Sequence, residues 1–155
     1  VGGYQESKFF EPGTDPVVAK TPFGHIGLMV CYDLRFPELA LTLRAQGANI
    51  LTAPAAFTYT TGEMHWQLLL QARAMDTQCL VLGAAQQGWH GEKRQTWGHA
   101  GASDSRGQLL DMIQTEGASI ITVPSNLEEQ NQVRASMPLL QHRVLLQYPT
   151  NSYSD

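Results

Sequence analysis

The residues best suited to chemistry stand together in Cys31-Tyr32-Asp33-Leu34-Arg35-Phe36-Pro37-Glu38. Cys31 follows the apolar run from His25 to Val30, and a helical pattern begins a few residues later. It therefore occupies a strand–nucleophile–helix elbow. The partial positive charge and free N–H groups of a helix start favour a thiolate over a thiol. The backbone N–H of Tyr32 would lie beside any oxyanion formed when the sulfur attacks a carbonyl. The same placement also suits a buried structural thiol, since cysteine is among the most buried residue types. Cys79 opens an apolar run with no polar residue behind it and reads as structural.

Asp33, Arg35 and Glu38 have the spacing for an ion-pair cluster under the helix start, a bracing use common near helix ends. Glu6 is a single carboxylate in a loop-rich region, and composition alone gives it no role. The histidines at 25, 65, 90, 99 and 142 show no metal-ligand spacing, and no Cys-x-x-Cys pair occurs, so no metal is expected. The chain contains neither a Gly-x-Gly-x-x-Gly nor a P-loop motif, so no nucleotide cofactor is expected either.

The elements that must position these residues alternate between strands and helices, which indicates an α/β fold. Short apolar runs at residues 25–30, 49–53 and 79–85 have the length and type of buried strands. Between them, Leu34 to Gln46 reads as a helix with Pro37 early and Gly47 at its end. A second helix starts at Thr60-Thr61-Gly62-Glu63, which has capping-box spacing, with Leu68, Leu69, Ala72 and Met75 on one apolar face. Asp104-Ser105-Arg106-Gly107 is a hairpin turn by composition, and 118–123 reads as a further strand. Ser125-Asn126-Leu127-Glu128 is a second capping box, opening a helix that ends before Pro138. The polar tail from Gln141 to Asp155 has no clear period.

At 155 residues, one domain is sufficient, and 43% hydrophobic against 15% charged residues excludes a disordered tail or a coiled coil. A net charge of -4 without a basic cluster argues against nucleic-acid or anionic-membrane partners. No apolar run has the length of a membrane span. Two cysteines cannot form a disulfide framework, which fits a reducing, cytoplasmic setting. The chain opens Val1-Gly2-Gly3, without an initiator Met.

The motif from Gly27 to Glu38 resembles the nucleophile segment of the nitrilase superfamily of carbon–nitrogen hydrolases. Tyr4-Gln5-Glu6-Ser7 resembles the segment carrying that family's second, positioning glutamate. Ala55-Ala56-Phe57, Thr60-Thr61-Gly62-x-x-His65-Trp66 and Ala72-Arg73-Ala74 are similar to its Nit branch. Gln86-Gln87-Gly88, Glu92-Lys93-Arg94 and Trp97-Gly98-His99 are most similar to the deaminated glutathione amidases of that branch. Ala100, Ser105 and Gln71 depart from the branch pattern, each a change worth no more than about 1 kcal/mol.

This resemblance implies a four-layer αββα sandwich and a Glu–Lys–Cys arrangement acting on amides. Cys31 would be the nucleophile, Glu6 the glutamate that orients the lysine, and Tyr32 the source of the oxyanion N–H. Phe57 and Thr58 would join Tyr32 in binding substrate. The implied substrate is a small carboxylate-bearing linear amide, such as deaminated glutathione or a 2-oxo acid ω-amide, with water as co-substrate. The base glutamate and the lysine would lie upstream of Val1, since Lys8, Lys20 and Lys93 do not stand at the family position. Residues 1–155 are thus expected to form the C-terminal portion of a single domain, inactive alone. A catalytically dead relative serving as a binding or subunit-pairing module is the rival reading. A nitrile hydrolase is a third, and the loop around Thr61 and His65 argues against it. Homo-oligomerisation is expected, with the tail from Gln141 to Asp155 as an interface element.

Overall fold

A computed structural model describes residues 6–144 of the chain. Tyr4, Gln5, the Glu6 side chain and the tail beyond Val144 lie outside the described residues.

Three apolar runs form the parallel centre of a six-stranded sheet. β2 (Gly24–Leu28), β3 (Ile50–Thr52) and β4 (Leu80–Gly83) pair in register, with Ile26 opposite Ile50 and Ile50 opposite Leu80. β1 (Val18–Thr21) joins β2 through a tight antiparallel turn, closed by the Thr21 hydroxyl donating to Gly24 O at 2.7 Å. Beyond β4 the sheet continues antiparallel through β7 (Gly101–Ser103) and β8 (Leu109–Met112). The turn between them is the expected one: Asp104 Oδ1 accepts from the backbone N–H groups of Arg106 and Gln108, both at 2.9 Å. Such Asx geometry lets an aspartate side chain stand in for a turn carbonyl.

Parallel neighbours require crossovers, and two helices supply them on one face. α1 (Pro37–Ala45) connects β2 to β3, and α2 (Tyr59–Thr77) connects β3 to β4. Leu34, Leu43, Leu51, Trp66, Leu70 and Val81 are fully buried between these helices and the sheet. The helices approach so closely that a Cβ on Gly27 would meet Leu43 Cβ of α1 at 3.1 Å, and one on Gly83 would meet Leu70 Cδ2 of α2 at 2.7 Å. On the opposite face, Ile26, Thr52 and Leu82 are half-buried and Leu28 is exposed.

Smaller pieces lie around this sheet. The hairpin β5 (Gln87–His90) and β6 (Arg94–Trp97) stands outside the main sheet. It is tied to the approach to α2 by a Thr58–Thr96 bridge and by Trp97 N–H donating to Phe57 O at 3.0 Å. α3 (Leu127–Ser136) crosses the sheet end where β3 and β4 begin, with Gln130 Nε2 donating to Asn49 O at 2.8 Å and Arg134 Nε to Gln78 O at 3.2 Å. A single turn, α4 (Leu139–His142), follows.

Five expectations are corrected. The helix expected from Leu34 is split into a 3-10 turn at Cys31–Arg35 and α1 from Pro37. Phe36 between them is extended, because the ring of a following proline disfavours helical backbone at the residue before it. α2 starts at Tyr59 with Thr58 as N-cap, not at Thr60. Its buried side is Gly62, Trp66, Leu70, Arg73, Ala74 and Thr77, while Leu68 and Met75 are 65% and 54% exposed. No strand forms over 118–123, where Ile120 is 91% exposed; among the described residues the segment has no neighbouring strand to satisfy its backbone. α3 is capped by Asn126, whose Oδ1 accepts from Glu129 N–H at 3.0 Å, rather than by Ser125.

Candidate active site

Three parallel strands end side by side, and ligands of open α/β sheets bind outside such carboxyl ends. The chain leaving β2 stays pinned to the chain leaving β3: Met29 N–H donates to Thr52 O at 3.0 Å and Cys31 N–H to Pro54 O at 2.9 Å. The chain leaving β3 is pinned in turn to the one leaving β4, through Ala55 N–H to Ala84 O at 2.8 Å and Gln86 N–H to Ala55 O at 2.9 Å. Cys31 sits at the sharp bend after the first of these connections, in left-handed backbone with φ 48°. A side chain is strained there, and such strain marks turns that thrust a nucleophile out of the sheet. Asp33 Oδ2 braces the bend by accepting from Val30 N–H at 2.9 Å.

The three strand ends enclose an open cleft of about 620 Å³ whose lining includes Cys31, Ala55, Ala56, Ala85, Gln86 and Arg94. Its alanine walls leave room for a small planar group beside the half-buried thiol. Arg94 enters from the start of β6 and donates from Nη2 to Ala56 O at 3.1 Å. Arg94 and Gln86 are the residues whose presence in the cleft was missed in the sequence. The available signal was the hairpin around Gly91, whose φ of 65° suits a tight turn.

The other expected site residues take different places. Tyr32 is exposed and sets its ring edge-on to Phe36 at 5.5 Å. Phe57 is buried, edge-on to Trp66 at 5.1 Å. Thr58 holds the N-cap position of α2 without a side-chain capping bond, its hydroxyl lying instead 2.8 Å from that of Thr61. None of these three belongs to the cleft lining. Glu6 opens a short 3-10 turn, Glu6–Lys8, and its side chain is outside the described residues.

Among the described residues, no ion pair joins Asp33, Arg35 and Glu38, contrary to the expected cluster. Asp33 turns back to the backbone of Val30, and Arg35 turns the other way. Its guanidinium lies 5.1 Å from the Phe57 ring centre and 5.6 Å from that of Tyr32, and Nη1 donates to His65 Nδ1 at 3.3 Å. Aromatic faces thus hold the cation where carboxylates were expected to do so. Among the described residues no group of three or more His, Cys, Asp or Glu is placed to hold a metal ion.

Cys79 is remote from the cleft, at the start of β4, and fully buried. Burial pushes its thiol up, against the weaker opposing pull of a hydrogen bond near Thr77 and of the Arg134 charge. Sγ donates to Ala48 O at 3.3 Å and receives Arg134 Nη2 at 3.5 Å. Its setting is structural, as expected. No helix among the described residues is long and apolar enough to cross a membrane.

Residues 1–135 match the family Carbon-nitrogen hydrolase. A deaminated glutathione amidase of Yersinia enterocolitica is 48% identical over 141 residues, covering 91% of this chain and 49% of that protein. The chain spans about half the length of this relative. The solved structure of the C. elegans NitFhit protein superposes with a TM-score of 0.82 at 40% identity, covering 91% of this chain and 34% of that one. A mutant amidase from Nesterenkonia sp. AN1 matches at TM-score 0.64 and 29% identity, over 72% of this chain and 42% of that one. In it the acetamide moiety of fluoroacetamide is covalently added at the active-site cysteine.

Proposed function

We propose, from the fact that the chain belongs to the carbon–nitrogen hydrolase family, that the protein is an amidase with Cys31 as its nucleophile. The observation that carries this reading is the strained, cleft-lining Cys31 at the carboxyl ends of β2, β3 and β4. The covalent adduct on the cysteine of the Nesterenkonia amidase supports it.

In this reading the Cys31 thiolate attacks the amide carbonyl and a C–S bond forms. The Tyr32 N–H and a lysine supplied from outside residues 1–155 hold the oxyanion. Collapse breaks the C–N bond, and ammonia or an amine leaves with a proton delivered by a glutamate, also from outside these residues. Water then attacks the thioester, releasing the acid and restoring the thiol. Glu6 orients the lysine, and residues 1–155 form the C-terminal portion of a single catalytic domain. Phe57 and Thr58 bound the substrate side of the site through the segment they anchor. No cofactor enters this chemistry.

The proposed substrate is a small carboxylate-bearing linear amide, with deaminated glutathione foremost, since the Yersinia relative is named for that activity; a 2-oxo acid ω-amide is the alternative. Free thiols at Cys31 and Cys79 support a cytoplasmic setting. The protein assembles with copies of itself, a reading supported by Met64, Leu68 and Met75 lying exposed along α2.

Replacing Cys31 with Ala or Ser in the full-length protein tests the central assignment. Amide hydrolysis should fall at least roughly a thousandfold, the scale of losing a nucleophile, while circular dichroism stays unchanged. Turnover that survives the substitution overturns it.

A further inference from the structure

We propose that Arg35 is a positioning residue for acyl chemistry at Cys31. Its guanidinium fixes the Cys31–Tyr32 bend against the segment Ala55–Phe57, so that the sulfur and the Tyr32 N–H meet one carbonyl. The inference rests on Cys31 as the nucleophile and adds the group that keeps its turn in place.

The two sides of the cleft must hold still relative to each other. Cys31 opens a 3-10 turn on one side, and Ala55 and Ala56 line the other. One backbone hydrogen bond, from Cys31 N–H to Pro54 O, joins them directly. A cysteine in left-handed backbone needs more, because strained backbone persists only where its surroundings over-determine it. Arg35, the last residue of the 3-10 turn, reaches both sides. Its guanidinium lies over the ring of Tyr32, next to the nucleophile, and over that of Phe57, next to Ala56. Phe57 is itself fixed, with its ring buried against Trp66 and its carbonyl accepting from Trp97 N–H.

A third tie runs to α2, where Nη1 donates to His65 Nδ1 at 3.3 Å. A guanidinium has no acceptor, so the imidazole nitrogen accepts. Among the described residues no carboxylate pairs with Arg35, which leaves the two rings and the imidazole to hold it. A planar guanidinium stacks on aromatic faces while its edge donates, a combination an ammonium lacks. Shifting this turn would part the Tyr32 N–H from the carbonyl that the sulfur attacks. A displacement of about 1 Å costs on the order of a hundredfold in rate.

The test uses two reactions of the same sulfur in the full-length protein. p-Nitrophenyl butyrate acylates it: a C–S bond forms through a tetrahedral oxyanion, the ester C–O bond breaks and p-nitrophenolate leaves. Iodoacetamide alkylates it by displacing iodide, with no oxyanion to hold. Arg35→Ala should slow acylation about a hundredfold and leave alkylation of Cys31 within about threefold of wild type. Arg35→Lys should recover part of the acylation rate. His65→Leu keeps the cation and removes its anchor, and should slow acylation about tenfold. His65→Asn restores an acceptor and should recover that loss.

A proportional loss of both reactions, as a general loosening of the fold gives, overturns the assignment. So does unchanged acylation in Arg35→Ala, or in His65→Leu if Arg35→Ala does not fold. Amide turnover by Cys31→Ala judges the amidase reading separately. Turnover there removes that reading, while the ratio of acylation to alkylation still decides the role of Arg35.

Discussion

Gly62 in the first turn of α2 lies against Trp97 of β6, so closely that a Cβ at position 62 would overlap Trp97 Cβ. This contact seats the β5–β6 hairpin, and Arg94 with it, on the helix that follows β3. Gly62→Ala should cost stability even though alanine is the better helix former by about 1 kcal/mol. Overpacking of this kind costs roughly 1–3 kcal/mol. Urea unfolding should therefore give a net loss, and a more stable variant would mean that the hairpin yields freely.

The left-handed backbone at Cys31 makes a second comparison possible. Among nucleophile-free variants, Cys31→Gly should be more stable than Cys31→Ala by about 1 kcal/mol, because only glycine takes that conformation without penalty. Equal midpoints of chemical unfolding would show that the bend is held without strain.

Cys79 links stability to alkaline pH. The unfolded thiol ionises near its ordinary value of 9.0, whereas burial raises the folded value. Above pH 9 the folded state thus binds more protons than the unfolded one, and stability falls as pH rises, by at most about 1.4 kcal/mol per pH unit from this group. Below that pH the contribution is constant. Cys79→Ala should be less stable at pH 7 and should lose less between pH 9 and 10 than the wild type. Parallel pH profiles would remove Cys79 as the cause.

Asn126→Ala removes the side-chain acceptor for Glu129 N–H at the start of α3. A loss of about 1 kcal/mol is expected, read as a lower midpoint of thermal unfolding with turnover retained at low temperature.

Leu68→Glu places a charge in the exposed apolar row on α2. Sedimentation or light scattering should report a smaller assembly than the wild type at equal concentration, with secondary structure intact. An unchanged mass would take α2 out of the interface.

Much of this arrangement was legible in the residues. β2, β3 and β4 are short apolar runs in the middle of the sheet, and Cys31 follows the first of them. The hairpin of Gln87–His90 and Arg94–Trp97 was not legible, because its strands are polar and depend on residues 56–58, distant in sequence. The face of α2 was misread for a related reason. Apolarity pointed to Leu68 and Met75, whereas tight packing selected Gly62, Ala74 and the Arg73 stem. The strand expected over 118–123 failed because extended backbone persists only beside a partner.

The chain's two thiols stand in opposite settings, one half-open on a cleft and one sealed under α3 by Arg134. A thiol reagent therefore modifies Cys31 in the folded protein and reaches Cys79 only when α3 lifts from the start of β4. Timed alkylation followed by intact-mass measurement would read both in one sample. The first adduct counts vacant sites, and the second clocks how often the sheet opens at its far end.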